Sequence, residues 1–239
     1  AKTQKPSASR TALKEYAGNH TVIATYLAWK KAEKRRQMVS ALLKHQHPDG
    51  FVRASYWQIG AMTGRMTCSD PNVQQIPRDA QFRESVIAPE GWVFVGADFS
   101  QMELRLLAVV AEDENMCNAF IDGKDLHTVT AEALGCDRQI AKSANFGLAY
   151  GSGAKGLRNY AAGMGVQITL QQATDVRNQW LDTYYGVRAW HRRLAKEADK
   201  TAGQVPAIRV PVSGLRRFLP GDINRLTIRA NVPVQGAGA

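Results

Sequence analysis

A stretch that is predicted to be helical carries two basic and two aromatic residues at a spacing of four: Arg138, Lys142, Phe146 and Tyr150. Each step of four residues advances about 6 Å and turns about 40° past one full turn, so the side chains form a row roughly 18 Å long on one face. Two cations in such a row can hold a triphosphate, and two rings can stack against a flat base. The alternative is a basic amphipathic helix whose aromatic residues belong to the core.

A second chemical signal is a carboxylate at the predicted junction between a strand and a helix. Residues 93–95, Val-Phe-Val, form a short apolar run between two glycines, which predicts a strand buried on both faces that ends near Asp98. Ser100 and Glu103 have the spacing of a capping box, so a helix is expected to begin there. A carboxylate in this position offers an oxygen ligand to a hard cation. The alternative is that Asp98 only satisfies backbone donors of the following helix.

The composition indicates a partner rich in phosphate. The 239 residues contain 31 Lys plus Arg against 21 Asp plus Glu, a formal net charge of +10. Such a balance favours nucleic acid as a partner and predicts binding that weakens steeply with salt. The three cysteines have no short C-x-x-C spacing, so neither a zinc site nor a disulfide framework is expected. Because no run of about 18 apolar residues and no signal-like start occurs, membrane insertion and secretion are not expected.

Hydrophobic periodicity and turn residues predict a mainly helical chain with two hairpins. Five elements are expected: a helix from His20 to Leu43, a strand–turn–strand over 51–66, helices over 113–202 with glycine breaks near 123, 135, 151–153 and 163–165, a hairpin over 210–220, and a helix over 224–239. Residues 1–9 are expected to be a frayed start. The first helix carries a basic block between Lys30 and Arg36, which is either a solvated face or a contact with a nucleic-acid backbone.

Taken together, these motifs resemble DNA polymerase family A, the DNA polymerase I type, over most of the chain. The segment from Asp98 to Arg105 is similar to the family's motif A, and the segment from Arg138 to Gly151 is similar to motif B. Further segments match in the family's order: 63–65 with 70–77, 113–115, 125–127, 214–217 and 231–236. The short connections at 127–138 and 220–231 are more similar to phage-encoded members than to the longer bacterial repair enzymes.

The resemblance implies an α+β fold with the right-hand architecture of polymerases. Its palm would contain an antiparallel sheet, its fingers would be mostly helical, and its thumb would be partial. The implied division is a thumb-adjoining helical segment at 1–50, palm with motif A at 51–122, fingers with motif B at 123–222, and the start of a palm helix at 223–239. The implied location is the cytoplasm of a bacterial cell or a phage-infected host.

The implied reaction is template-directed nucleotidyl transfer, in which a primer 3′-hydroxyl attacks the α-phosphate of a deoxynucleoside triphosphate and releases pyrophosphate. Catalysis of this kind depends on positioning and charge neutralisation, with two Mg²⁺ ions about 3.5–4 Å apart. Asp98 and the carbonyl of Phe99 are the implied metal ligands. Arg138 and Lys142 would hold the β- and γ-phosphates, and Lys142 would also protonate the leaving pyrophosphate.

The other candidate residues divide, by resemblance, between the nucleotide and the primer–template DNA. The nucleotide set is Gln101, Glu103, His127, Phe146 and Tyr150, and the DNA set is Arg65, Arg105, Asn231 and Gln235. Phe146 and Glu103 would leave no space for a 2′-hydroxyl and so select deoxyribose, while Glu103 could also close the helix cap. Tyr150 is similar to the residue that stacks on the template base. Arg65, Asn231 and Gln235 would contact the minor groove, where acceptors are common to all base pairs.

One family motif has no match in the sequence. Motif C, a His-Asp-Glu that supplies the second metal-binding carboxylate, is not found after Gln235, and neither Asp125 nor Asp222 has its context. The chain alone is therefore expected to be inactive. Three functions stay open: a polymerase core that needs a C-terminal remainder or a second polypeptide, a catalytically incomplete fragment that binds primer–template and nucleotide, and a generic basic helical DNA-binding protein.

Overall fold

The computed structural model describes residues 13, 16–77, 79–200, 207–211, 213–219 and 225–239. The chain divides into two compact units, one of Ala1–Ala61 with Met66–Phe99 and one of Met62–Arg65 with Ser100–Ala239. The frayed start expected at residues 1–9 and the turn residue Asp222 lie outside the described residues. The four-part division into thumb, palm and fingers stays a prediction.

The longest helix of the first unit is α1, Thr21–Lys44, which confirms the helix predicted from His20 to Leu43. None of its residues is buried, so the basic block from Lys30 to Arg36 lies on an exposed helix. The other elements of this unit are short: β1 (Ser55–Trp57), β2 (Thr67–Ser69), a 3₁₀ turn (Val73–Gln75) and α2 (Ala80–Glu84). The two strands pair antiparallel with Tyr56 opposite Cys68. The strand–turn–strand predicted over 51–66 is therefore correct in kind and for its first strand, but the second strand begins only after residue 66.

The buried strand predicted at residues 93–95 is wrong. Residues 92–99 are irregular, and Val93, Phe94 and Val95 are 79%, 71% and 89% exposed. Among the described residues the strands pair only as β1 with β2 and β3 (Ala207–Arg209) with β4 (Arg216–Phe218), so no neighbouring strand lies against this segment. An apolar run becomes a buried strand only when another strand supplies backbone partners and another layer covers its side chains.

The second unit is mainly helical, which confirms the prediction for 113–202. Its helices are α3 (Met102–Ala111), α4 (Glu114–Ile121), α5 (Leu126–Leu134), α6 (Arg138–Leu148), α7 (Ala154–Gly163), α8 (Leu170–Thr183), α9 (Tyr185–Lys200) and α10 (Leu226–Ala237). The breaks fall near the predicted glycines. At Gly135 the backbone takes φ +58, a left-handed conformation that glycine adopts without the Cβ penalty, and this ends α5.

Acidic and hydroxyl side chains set the starts of these helices. Asp113, Asp125 and Asp137 each accept a hydrogen bond from a backbone N–H in the first turn of the helix that follows. Thr169 and Gln172 form a full capping box at the start of α8. Such caps satisfy donors that the helix itself leaves unpaired, and each stabilises by about 1 kcal/mol. The helix starts around the candidate site are therefore determined locally by sequence.

The core of the second unit is formed by α3 to α9 together with α10. Its largest fully buried side chains include Trp180, Tyr184, Leu104, Leu107, Met116, Leu126, Leu148 and Leu157. Asp113 is also fully buried, and its carboxylate accepts hydrogen bonds from the backbone N–H groups of Gly186 and Val187. Those bonds connect the start of α4 to the start of α9 across 73 residues.

Strands β3 (Ala207–Arg209) and β4 (Arg216–Phe218) pair antiparallel and form a hairpin. A hairpin was predicted over 210–220, but its first strand lies before residue 210. It packs with α10 around a small second core that contains Ile208, Val210, Leu219 and Val232. The fold is thus α+β, with small antiparallel sheets and many helices, as predicted. No helix among the described residues is long and apolar enough to cross a membrane.

Candidate functional site

Only one side of the C-terminal half of α6 is left partly open. Between Ala141 and Tyr150 every residue is buried except Lys142, Phe146 and Tyr150, and Arg138 is exposed one turn earlier. The burial pattern therefore agrees with the predicted row on one face. One detail differs, because α6 ends at Leu148 and Tyr150 lies just beyond it.

Small and polar residues hold the other sides of α6 in the core. Ala141 and Ala144 are fully buried, and a Cβ at Gly147 would lie 3.3 Å from the Leu157 side chain, so α7 approaches closely. Buried Asn145 accepts a hydrogen bond of 2.7 Å from the indole N–H of Trp180 and is bonded to Thr130 as well. Because these contacts fix the buried side of α6 against the core, the open side that carries Lys142 and Phe146 has a fixed orientation within this unit.

The first cation of the row is held by an aspartate. Arg138 donates from Nε and Nη2 to Asp125 at 3.0 and 2.8 Å, and Gln101 donates to the other oxygen of the same carboxylate at 2.9 Å. Burial would raise the pKa of Asp125, but hydrogen bonds from Thr128 and Arg138 and the Arg138 charge outweigh it and lower the pKa to about 2. On the sequence, Asp125 is excluded only as the second metal-binding carboxylate, and its pairing with Arg138 is not predicted; its place before a helix start is the signal that the sequence offers.

Lys142, one turn further along, has no hydrogen bond or ion pair among the described residues. Its charge is nevertheless felt nearby. The pKa of His127 is lowered by burial, and the charges of Arg138 and Lys142 lower it further, while Asp125 opposes them. The surroundings of the row are thus electropositive, and they favour an anion over a further cation.

His127 and Phe146 share the middle of the row. His127 is buried, with 5% of its surface exposed, and its ring centroid lies 5.4 Å from that of Phe146. Its Nδ1 is 3.0 Å from the Asn145 amide nitrogen, which donates to it. This bond leaves Nε2 as the nitrogen that carries the proton in the neutral ring. The histidine therefore supports the Phe146 ring as well as lying beside the cations.

The far end of the row is a cluster of four residues predicted separately: Arg65, Glu103, Tyr150 and Gln235. The Glu103 carboxylate forms an ion pair with Arg65 and accepts a hydrogen bond from the Tyr150 hydroxyl. Burial and the Glu103 carboxylate raise the pKa of Tyr150 above its ordinary range, while a hydrogen bond with Gln235 and the charge of Arg65 act in the opposite direction. Residues from three separate segments therefore meet at the Glu103 carboxylate, and Gln235, from a fourth segment, is hydrogen-bonded to Tyr150.

The capping box predicted from Ser100 and Glu103 is wrong. Helix α3 begins after Gln101, which has a left-handed φ of +53, and no side chain caps it. Glu103 binds Arg65 and Tyr150 instead, because a cationic and a hydroxyl donor on other segments offer it stronger hydrogen bonds than the helix start does.

Two of the predicted DNA-binding residues, Arg105 and Asn231, take no part in the hydrogen bonds around Glu103. The Arg105 guanidinium lies 4.5 Å from the Phe120 ring centroid and donates to the Ser100 carbonyl at 3.0 Å. Asn231 is partly exposed on α10, one turn before Gln235. Their roles toward DNA stay predictions.

The predicted metal ligands, Asp98 and Phe99, belong to the first unit and lie in the irregular segment 92–99. Both residues are exposed. Throughout the described ranges no group of three or more His, Cys, Asp or Glu side chains is arranged to hold a metal ion. A single carboxylate with one carbonyl still suits Mg²⁺, which usually keeps several waters and uses one or two carboxylates with substrate phosphates.

Comparison with known proteins identifies the family. The model of DNA polymerase family A matches residues 1–239. DNA polymerase I of Aquifex aeolicus is 41% identical over 82% of this chain, and the thermostable DNA polymerase I of Thermus filiformis is 33% identical over 100% of it. The chain spans 34% and 30% of the lengths of these relatives.

A solved structure supports the same assignment. The polymerase domain of Pol1 from M. smegmatis, in complex with DNA primer–template and dNTP, superposes with a TM-score of 0.80 at 27% identity, covering 99% of this chain and 44% of that one. The generic basic DNA-binding protein is thereby excluded as a description of the sequence. The chain belongs to DNA polymerase family A.

Proposed function

We propose that this chain forms the nucleotide-binding part of a DNA polymerase that adds deoxynucleotides to a primer 3′ end. The observation that carries the proposal is the open face of α6, where Lys142 lies without an acidic partner among the described residues while its neighbours Ala141, Ser143 and Ala144 are buried. A half-buried cation beside an aromatic ring suits a triphosphate with an attached base. The solved relative named above was obtained with primer–template DNA and dNTP bound.

In this proposal the row reads the nucleotide from phosphate to base. Lys142 and Arg138 hold the β- and γ-phosphates, and Lys142 donates a proton to the departing pyrophosphate oxygen. Arg138 exchanges one of its bonds to Asp125 for a phosphate oxygen, which is possible because its side chain is 51% exposed. His127 contacts the phosphates from the side, and Gln101 steadies Asp125.

Selection of deoxyribose follows from the far end of the row. Phe146 lies against the sugar, and Glu103 fills the space of a 2′-hydroxyl. Since Glu103 is held by Arg65 and Tyr150, moving its side chain to admit that hydroxyl would cost the free energy of these contacts. Tyr150 stacks on the template base until the next nucleotide enters, and Arg65, Asn231, Gln235 and Arg105 contact the primer–template.

Mg²⁺ would be held by Asp98 and the Phe99 carbonyl, where it would supply charge neutralisation for the phosphoryl oxygens. We further propose that the second metal-binding carboxylate comes from outside these 239 residues, in a C-terminal continuation or a second polypeptide. Asp98→Ala should then abolish extension by the completed enzyme and leave DNA binding nearly unchanged. Retained turnover would remove Asp98 from the metal site.

The direct test is nucleotide affinity. Lys142→Ala should weaken dNTP binding to the chain on a primer–template duplex about 10- to 100-fold, the loss of one charge-assisted hydrogen bond of about 1.5–3 kcal/mol. Lys196→Ala removes an exposed lysine on α9 and serves as the matched control. Equal affinities for the two variants would contradict the proposal. Primer extension by the chain alone, and after addition of a polypeptide that carries the His-Asp-Glu motif, separates a polymerase from a binding fragment.

A further inference from the structure

A basic cavity lies at the end of α6, where its lining includes Gly151, the residue that follows Tyr150. It has a volume of about 360 Å³ and is lined by Arg177 of α8 and by Arg188, His191 and Arg192 of α9. No Asp or Glu lines it. We call it the basic pocket.

The three arginines of the basic pocket are unequally compensated. Arg188 forms an ion pair with Asp182, which lies outside the lining. Arg177 donates to the neutral side-chain oxygen of Asn178 at 3.1 Å, and Arg192 has no hydrogen bond or ion pair among the described residues. Two guanidinium charges thus lie at one cavity without a carboxylate to balance them. A helix face that is only solvated usually carries charges of alternating sign, and this cavity does not.

The walls of the basic pocket strengthen these charges. Leu148, Leu181 and Leu226 supply an apolar lining that keeps water away from part of the cavity and lowers the local dielectric. His191 is 8% exposed and donates from Nε2 to the Ala149 carbonyl at 2.9 Å, so its ring is fixed as part of the wall. Burial lowers the pKa of His191, the hydrogen bond to the Ala149 carbonyl raises it, and the charge of Arg177, which lines the same cavity, lowers it further.

We propose that the basic pocket is a second phosphate-binding site, distinct from the Arg138–Lys142 row, that takes a phosphate group of a nucleotide or polynucleotide. Guanidinium groups bind phosphate oxygens in a bidentate manner, and Ser152 and Asn178 add neutral donors at the rim. The volume exceeds that of one phosphate and leaves room for part of the attached nucleoside. The proposal depends on the proposed function only in expecting the phosphate to belong to nucleic acid.

Position favours a strand over a free nucleotide. Gly151 forms part of the pocket wall and follows Tyr150 directly, with a left-handed φ of +77, and a Cβ there would lie 3.1 Å from Leu226. Only a residue without a side chain lets the backbone pass this close between the row and the pocket. A single strand whose base reaches Tyr150 would carry a neighbouring phosphate to the arginines.

The test uses the whole chain and a fluorescently labelled single-stranded dT12. The variant Arg177→Gln with Arg192→Gln should weaken binding at least about fivefold at 100 mM salt and reduce the salt dependence by about 0.7 to 1.4 in log–log slope, as expected for one or two lost single-strand phosphate contacts. The matched control is Arg193→Gln with Lys196→Gln, which removes the same charge from exposed positions of α9 outside the pocket.

The outcomes distinguish the sources of phosphate. Weaker dT12 binding by the pocket variant than by the control supports a polynucleotide phosphate. A selective loss of pyrophosphate binding, with dT12 unaffected, supports a free phosphate anion in the same site. If neither ligand distinguishes the pocket variant from the control, the proposal is overturned. Thermal unfolding of both variants checks folding, and the single variant Arg192→Gln, at an exposed position, repeats the measurement with minimal disturbance.

Failure of this proposal differs visibly from failure of the proposed function. The pocket variant should bind dNTP normally, because the row on α6 is intact, whereas Lys142→Ala should lose dNTP and keep its affinity for dT12 within about threefold. A Lys142→Ala variant that binds dNTP like the wild type would remove the proposed function and leave the pocket result standing.

Discussion

The Asp125 carboxylate gives the sharpest quantitative prediction. Its pKa lies at about 2 instead of 3.8 because Thr128 and Arg138 donate to it. A shift of this size corresponds to about 2.4 kcal/mol at about 1.4 kcal/mol per pH unit. Since the side chain is 33% exposed, solvent screens part of the effect, and we expect Asp125→Asn to lower the free energy of unfolding by about 1–2 kcal/mol at pH 7.

The substitution removes the charge and keeps the helix cap. Asparagine caps helices as well as aspartate does, so the bond from the Thr128 N–H to residue 125 is retained, while the attraction to Arg138 and the hydrogen bond from Gln101 are lost. The folded-state pKa is depressed, so the stabilisation is complete above the unfolded-state value near 4 and is lost as the pH falls through about 2. The difference in the free energy of unfolding between wild type and variant, called the gap below, should therefore be constant from pH 7 to 5 and fall to about half at pH 3.

Urea unfolding followed by circular dichroism at pH 7, 5 and 3 measures this gap. Asp122→Asn is the control, because Asp122 pairs with Lys124 at 3.0 Å but is 53% exposed, and its loss should change stability by no more than about 0.5 kcal/mol. A gap for Asp125→Asn that is no larger than the control's, or that does not shrink at pH 3, would refute the inference that the Arg138–Asp125 pair stabilises the fold.

Three further predictions follow from the same geometry. Phe146→Tyr should ease incorporation of dideoxynucleotides by the completed enzyme, because the added hydroxyl lies where the sugar lacks its own; unchanged discrimination in single-nucleotide extension would show that the ring does not face the sugar. Trp180→Phe should destabilise by about 2–4 kcal/mol in urea, since it leaves a void and removes the 2.7 Å bond to Asn145, whereas Trp92→Phe at a 75% exposed position should cost about 0.5 kcal/mol or less. Raising salt from 50 to 200 mM should weaken duplex binding by at least about tenfold, as measured by anisotropy, if several phosphates are contacted, and a flat response would contradict the basic contact surface.

The family could be assigned from the sequence because several motif matches, each weak by itself, occur in the order that the family has. The helices of the second unit were also predictable, since their caps and glycine breaks act over a few residues. The alignment of Lys142 and Phe146 on one side of α6 followed from helix periodicity alone. What these residues bind stays a prediction, because neither periodicity nor burial names a ligand.

Other features needed the folded chain. Asp125 and Arg138 are 13 positions apart, and Glu103 meets Tyr150 across 47 and Arg65 across 38; no local pattern distinguishes these partners from the many other charged residues. The same limit explains the error at residues 93–95, where the apolar pattern of a buried strand was present but no pairing strand among the described residues was.

The sequence by itself determined the family, the positions of most helices and the row of side chains on α6, because all three depend on residue order and on spacings of a few residues. Tertiary structure alone decided which donors reach Glu103 and Asp125, and it alone formed the basic pocket from three helices and the end of a fourth. The physical reason is that hydrogen bonds and ion pairs depend on distances of about 3 Å, and for residues far apart in the chain such distances exist only after the core has packed.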